Sequence, residues 1–506
     1  MIKMSHKRST SYPSSPYKPP HSTTSQPVME TSTSDSSGYD TPIRPVHSQE
    51  QRPADYVTPT HATNEEANVE IIRNSQPTDP FVRRPEVSSD RGFTGEPIIT
   101  YFTKRDELAA EEFSDIIKDP VVQYLKEIAS ESFSVILTHA GYDELSSVPV
   151  VLVVAYPWTD TDAQVLINIF DNLQTKFVTR LFCYDGSTHR YGALQGFDEY
   201  WEKPVPGCSL GPESGDTACS LGVYVKSKGD NVDTFALTVL HGFTNSEGYF
   251  PVSESGCDPA GSLDRCLVAQ PAQLDKENRV ATLQHTHELY KEGARSNEHK
   301  ANEIKAELDS IPRLNALFGR VHCGERTVLD YDGEPMSSDI ALIKLSTDRQ
   351  GQNKIMFERI MKQWKWSPRD AESVYFTGRE GIAFGDCIAK VGKTSGVTVG
   401  NIGFRYNAVL FDDSTETTSE FVVVSGAGER FARAGDSGGP VINTAGNLVG
   451  FILGGTNGNA KLLKGHENLG PVFATYISPS DFVFERVQAL MGGEIELLVD
   501  LPVPLE

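Results

Sequence analysis

The stretch Ala434-Gly435-Asp436-Ser437-Gly438-Gly439-Pro440 decides how the rest of the chain is read. It lies between a strand-like run, Phe421 to Val424, and an apolar run, Asn447 to Gly454. Glycines on both sides of Ser437 open backbone conformations closed to other residues. The peptide N–H groups of Gly435 and Ser437 can then point into one small concavity beside the Ser437 hydroxyl. That places a nucleophile and an anion-stabilising pocket in a single loop. The competing reading is a glycine-rich hairpin turn holding an ordinary serine. Two upstream stretches separate these readings.

The first is Phe235-Ala236-Leu237-Thr238-Val239-Leu240-His241-Gly242, an apolar run that ends in a histidine. The second is Ser338-Asp339-Ile340-Ala341-Leu342-Ile343-Lys344-Leu345, in which an aspartate leads into a buried strand. A serine hydroxyl needs an adjacent base, and histidine titrates near neutrality. The base in turn needs a buried acceptor on its other nitrogen, to fix its tautomer and stabilise the imidazolium. His241, Asp339 and Ser437 fit these catalytic roles in that order. Taken singly, a histidine after an apolar run is commonly a satisfied core residue, and an aspartate at a strand start a turn residue. Taken jointly with the glycine-bracketed serine, they favour chemistry. Asp330 and Asp332 are rivals for the acid; Asp339 is preferred because it abuts the apolar strand.

These motifs resemble those of the chymotrypsin/trypsin-like serine proteases. Leu237 to His241 is similar to the family's histidine motif, Asp339 to Leu342 to its aspartate motif, and Gly435 to Pro440 to its serine motif. Leu448-Val449-Gly450, with Gly454 and Gly455 beyond it, resembles the strand that lines the substrate channel. The resemblance covers about 205–490. It implies a mainly β fold of two antiparallel β-barrels, with His241 and Asp339 on the first and Ser437 on the second. It also implies a primary specificity pocket with Phe431 at its base, hence a preference for an apolar or small residue at the cleaved position. Arg430 and Arg433 nearby would instead favour acidic substrates.

Departures from the family pattern are informative. Secreted members carry a cysteine after the histidine, where this chain has Gly242, and no cysteine flanks Ser437. The 98-residue spacing from His241 to Asp339 is long. Lys390 to Gly396, with Thr398 and Gly400, resembles a turn of fungal intracellular trypsin-like proteins. Zymogen-type members pair the aspartate before the serine with a newly made N-terminus. Asp436 is present, but no such cleavage junction precedes the barrels. Either it finds another partner in the intact chain, or the chain is cut at a site the motifs do not reveal.

The 506 residues carry a formal charge of −23, from 46 basic and 69 acidic side chains. Residues 1–95 hold 10 basic and 11 acidic residues, so nearly all the excess lies downstream. An acidic folded region argues against nucleic acid or an anionic membrane as partner and leaves a peptide or protein substrate. Met1 to Ser15 lacks the apolar core of a secretory signal, and no run approaches the ~18 apolar residues that span a bilayer. The seven cysteines, an odd and scattered set, then read as reduced thiols of an intracellular protein.

Composition divides the chain. Residues 1–95 are Ser/Thr/Pro-rich without apolar periodicity and read as a disordered tail. Residues 96–204 read as a small α/β domain. A helix opens at Asp119-Pro120, strands run over Phe133 to Leu137, Val148 to Ala155 and Phe177 to Cys183, and a helix runs from Thr159 to Leu173. Residues 205–490 alternate short β-branched strands with Gly, Asp and Asn turns, as in the double barrel. A charged helical insertion over 270–314 accounts for the long His–Asp spacing. Residues 491–506 read as a short acidic tail.

Two other functions compete: a catalytically silent trypsin-like scaffold that binds protein, and a serine esterase. Esterases set their serine on a strand-to-helix turn and place the histidine last. Here Gly-Gly-Pro is a poor helix start, and the one later histidine, His466, sits in a polar stretch. No cofactor or metal is expected. His285, His287 and His299 are spaced by two and twelve residues, which does not bring two onto one helical face a turn apart.

Overall fold

The computed structural model describes residues 104–128, 130–140, 148–186, 188–189, 200–229, 232–243, 266–292, 297–346, 349–356, 373–403, 407–412, 414–425, 430–456, 461–464 and 473–499. The tail expected over 1–95 lies outside these residues, as do His466 and Cys257. The fold is mainly β, built on two large sheets.

The first sheet has eight strands. In spatial order they are Ile495–Leu497, Val223–Ser227, Thr234–Thr238, Glu334–Leu345, Leu317–Tyr331, Leu267–Ala269, Ser209–Pro212 and Cys219–Ser220. The long hairpin 317–345 dominates it and turns at Asp332-Gly333, where both residues take positive φ (55° and 81°). The strand at Ile495–Leu497 falls inside the stretch read as an acidic tail. Burial of Ile495 and Leu497, and a 2.8 Å ion pair from Glu496 to Lys226, explain why it adds to the sheet.

The second sheet carries Ser437. Its central run is Cys387–Gly392, Pro440–Asn443, Asn447–Thr456, Phe473–Pro479, Thr418–Ser425 and Asn407–Leu410. It continues through Ser132–Ala140, Val148–Tyr156, Arg180–Asp185 and Lys461–Lys464. The strands of the 96–204 region therefore extend this sheet, joined by antiparallel pairing of Phe133–Val135 with Ala408–Leu410. Among the described residues both sheets run as open paths, so the barrels expected from the family do not close into rings of hydrogen bonds.

Apolar side chains of the two sheets share one cluster. Val223, Phe235 and Leu342 of the first meet Val423, Ile442 and Leu448 of the second, and the helix Ser480–Met491 adds Phe482, Phe484 and Val487. A second cluster lies over the 132–185 strands, under the helix Asp160–Asn172, which Thr159 and Asp162 close with a reciprocal cap. The helix expected to open at Asp119-Pro120 begins earlier. Lys104–Glu112 runs into a π-helical turn, Phe113–Ile117, and then Lys118–Glu127. The charged stretch 270–314 folds as two helices, Gln273–Glu292 and Glu298–Ser310, packed through Leu283, Ile304 and Ile311. Among the described residues no helix is long and apolar enough to cross a membrane.

Candidate active site

His241 lies three residues past the end of the strand 234–238 and opens a short 3-10 turn, His241–Phe243. Asp339 lies on the neighbouring strand 334–345, where Ala341 faces Thr238 in register. The carboxylate is fully buried and uses both oxygens. One accepts from Leu240 N (2.8 Å) and His241 N (3.0 Å); the other lies 2.8 Å from His241 Nδ1. A carboxylate can only accept, so Nδ1 carries a proton, which in the neutral ring leaves the lone pair on Nε2. The same aspartate thus shapes the turn that presents the ring and selects its tautomer. Arg326, paired with Asp339 across the hairpin, brings its Nε to 3.9 Å of the carboxylate. Of the two rivals for the acid, Asp330 accepts from Gly333 N at 3.2 Å in the hairpin turn, and Asp332 is one of the turn's positive-φ residues.

Ser437 is fully buried, and its hydroxyl donates to the Leu453 carbonyl at 3.3 Å. Its loop is docked onto the first sheet. Ser220 Oγ donates to Gly435 O (2.9 Å), and Ser220 N to Ser437 O (2.8 Å). Thr238, three residues before His241, donates to the Ser220 carbonyl at 2.7 Å. Gly438 has φ +83°, and a Cβ there would lie 2.1 Å from Thr238 Oγ1 and 3.2 Å from Val239 N. A glycine is therefore required for the serine loop to press against the strand that leads to His241. These contacts bring the serine motif and the histidine motif to one seam between the sheets.

Asp436 answers the question of its partner. Its buried carboxylate accepts from Lys390 Nζ (2.8 Å), the amides of Arg433 (2.9 Å), Thr394 (2.9 Å) and Ser395 (3.1 Å), and the Ser395 hydroxyl. The Lys390 ammonium has three acceptors for its three protons: Asp436, the Gly396 carbonyl at 3.0 Å and Ser395 Oγ. Burial alone would raise the Asp436 pKa; Lys390, Ser395 and the Arg433 amide outweigh it and hold the carboxyl below its usual range. Lys390 of the chain itself thus supplies the cation that neutralises Asp436. Lys393, on the same turn, makes a second fully buried ion pair, to Asp275 of the first insertion helix at 2.9 Å.

Sequence reasoning singled out this turn by likeness alone and gave Lys390, Lys393, Thr394 and Ser220 no role. The readable signal was a lysine at 390 inside the apolar run Ile388-Ala389-Lys390-Val391, next to a glycine turn.

Phe431 is buried in the apolar cluster shared by the two sheets, and its ring would meet a Cβ at Gly400 at 3.0 Å. Arg430 stacks over the Phe473 ring at 4.1 Å from its centroid. Gly454 and Gly455 lie in the strand 447–456 opposite Tyr476 and Thr475. On the other edge of that strand, Gly455 and Thr456 pair antiparallel with His189 and Thr188. At Gly242, a Cβ would lie 2.5 Å from Cys219 Sγ, so the thiol fills the space that a side chain at 242 would need. Burial pushes the Cys219 thiol up to about 12 and the Cys266 thiol up to about 11. Among the described residues no group of three or more His, Cys, Asp and Glu side chains stands close enough to hold a metal ion.

Residues 212–456 match the model of peptidase family S64. The matched stretch is just under half of the chain and contains His241, Asp339 and Ser437. Among solved structures the chain is faintly similar to Thermobifida fusca protease A, with a TM-score of 0.30 and 14% identity over 58% of this chain and 98% of that one. A Nocardiopsis protease gives a TM-score of 0.30 and 14% identity over 58% and 97%. A Cellulomonas bogoriensis chymotrypsin gives 0.28 and 12% over 58% and 98%. No curated protein matches.

Proposed function

We propose that the chain is a serine endopeptidase working through Ser437, His241 and Asp339. The observation that carries this reading is the Asp339 carboxylate bridging Leu240 N, His241 N and His241 Nδ1 beside the docked serine loop. In this reading the Ser437 hydroxyl, which donates to the Leu453 carbonyl in the structure, turns to the His241 imidazole for reaction. His241 then takes the hydroxyl proton as the oxygen attacks a peptide carbonyl, and Asp339 stabilises the imidazolium that forms. The amides of Gly435 and Ser437 stabilise the tetrahedral oxyanion. His241 returns the proton to the leaving amine, and the acyl-enzyme is hydrolysed by water activated at the same ring.

The apolar surroundings of Phe431 support a preference for an apolar or small residue at the cleaved position. Gly454 and Gly455 line the channel in this reading. An extended peptide adding to the 447–456 edge at Gly455 takes the place of Thr188–His189. An intracellular setting is part of this proposal, carried by the odd, scattered set of cysteines in the sequence.

The test is labelling of the full chain with a fluorophosphonate, followed by hydrolysis of casein by wild type and Ser437→Ala. Labelling at Ser437 and loss of hydrolysis in the variant are expected. Wild-type hydrolysis by Ser437→Ala would remove the nucleophile from the scheme. A peptide library cleaved after Lys or Arg would contradict the specificity.

A further inference from the structure

We propose that Thr394 is a positioning residue for the oxyanion pocket, holding the peptide that carries the Gly435 N–H in its productive orientation. The inference rests on the reading of the Gly435 and Ser437 amides as oxyanion donors. In a trans peptide the C=O and the following N–H point in opposite directions. The direction of an amide is therefore set by whatever holds the carbonyl one atom away.

At Ser437 the loop does this itself, since the Asp436 carbonyl accepts from Gly439 N at 2.9 Å and so aims the Ser437 N–H the other way. At Gly435 the holder comes from another element. The Ala434 carbonyl accepts from Thr394 Oγ1 at 2.7 Å, which turns the Gly435 N–H away from the 392–396 turn.

Gly435 makes that outside hold necessary. Its φ is +95°, and a Cβ there would lie 2.5 Å from Thr394 Oγ1 and 3.1 Å from Lys393 Nζ, so the position admits only glycine. Glycine accepts positive and negative φ with similar ease. The Ala434–Gly435 peptide is then free to flip unless a partner fixes it. A flipped peptide would present the Ala434 carbonyl, a negative dipole, to the developing oxyanion.

Thr394 is itself rigidly seated. Its amide donates to Asp436 Oδ1 at 2.9 Å. Lys390 and Lys393 both pin this turn, through ion pairs to Asp436 and to Asp275. Lys393 N also donates to Ser220 Oγ, which in turn holds the Gly435 carbonyl.

The experiment compares wild type, Thr394→Val, Thr394→Ser and Ser437→Ala as full chains. It reads the rate of Ser437 inactivation by a fluorophosphonate, whose phosphoryl oxygen takes the oxyanion position, together with the thermal midpoint. Thr394→Val should label about 10- to 100-fold more slowly, at or below the ~100-fold lower end of what losing an oxyanion donor outright costs, because the donor is misaligned and not removed. Thr394→Ser, which keeps the hydroxyl, should label close to the wild-type rate. A Thr394→Val protein labelled as fast as wild type, or a Thr394→Ser protein as slow as Thr394→Val, overturns the proposal. A shift confined to the thermal midpoint overturns it too, because a merely structural threonine would give that result. Wild type that fails to label at Ser437 while Ser437→Ala behaves identically brings down the underlying reading of the site, and this proposal with it.

Discussion

Lys390 Nζ lies 2.8 Å from Asp436 Oδ2, and neither side chain is exposed. A charge buried this deeply is tolerated because each is matched, and removing one leaves the other stranded. Lys390→Met or Asp436→Asn should each destabilise the fold by about 3–5 kcal/mol, the range for breaking a buried pair from one side. Replacing both together should cost less than the sum of the two. Urea unfolding of the single and double variants measures this; additive losses would show that the pair is not coupled.

The acid limb of stability should report on Asp436. Its folded pKa is depressed, so between that value and about 3.9 the unfolded chain binds the proton that the native one refuses. The stabilisation is present above about pH 4 and disappears as pH falls through the folded value. The urea midpoint of wild type should fall across this window, and Asp436→Asn should show a shallower decline. An equal slope in both would mean that the acid sensitivity originates elsewhere.

Asp339→Asn should retain the fold and lose most of the activity. An amide in place of the carboxylate can present a donor to His241 Nδ1 and reverse the tautomer, a change worth roughly 10⁴ in turnover where this arrangement operates. Casein hydrolysis together with the thermal midpoint separates this from unfolding. Activity within about tenfold of wild type would argue that Asp339 acts only as a scaffold for the turn.

Two positive-φ glycines should behave differently on substitution by alanine. Gly396 (φ +64°) has nothing within 4 Å of an added Cβ, so only backbone strain of about 1–2 kcal/mol applies. Gly438 adds contacts of 2.1 Å to Thr238 Oγ1 and 2.6 Å to the Ser220 carbonyl. Gly438→Ala should therefore lose more stability than Gly396→Ala, and should also lose activity because the serine loop must back away from the histidine strand. Equal losses in calorimetry would show that the seam between the sheets is softer than these distances imply.

Thiol chemistry offers an independent check on the seam. Cys219 faces Gly242, with a pKa raised to about 12, and Cys266 with one raised to about 11. The thiolate is the reactive form, so both should resist iodoacetamide in the native protein and react after unfolding. Cys387, which is exposed, should react first among the described cysteines. Peptide mapping by mass spectrometry reads the order directly.

The parts legible in sequence were those governed by local pattern. The strand-to-histidine run at 234–241, the aspartate leading into 339–345 and the glycine-bracketed serine all carry their meaning within eight residues. The helix over 160–172 was equally clear from its apolar stripe of Ala163, Leu166, Ile167 and Phe170, and the structure buries Ala163, Leu166 and Phe170. Contacts between distant elements left little local trace. Lys390 and Asp436 are 46 residues apart, and Lys393 and Asp275 are 118 apart. A buried lysine looks like a surface lysine until its partner is known. The boundary drawn near 204 followed a change in composition, which is silent about the pairing of Phe133–Val135 with Ala408–Leu410. The strand at 495–497 was hidden for a similar reason: acidic residues surround the two apolar side chains it buries.

The pairing of Phe133–Val135 with Ala408–Leu410 has a practical side for anyone shortening the gene. A fragment cut to 212–456 would lose this neighbour, the 473–479 strand between two central strands, and the 495–497 edge. Each excision leaves a row of unsatisfied main-chain donors and acceptors along a Val-containing strand, the kind of border that recruits other molecules into aggregates. Expression should therefore start ahead of Lys104 and run past Leu497, even when only the hydrolytic half is wanted.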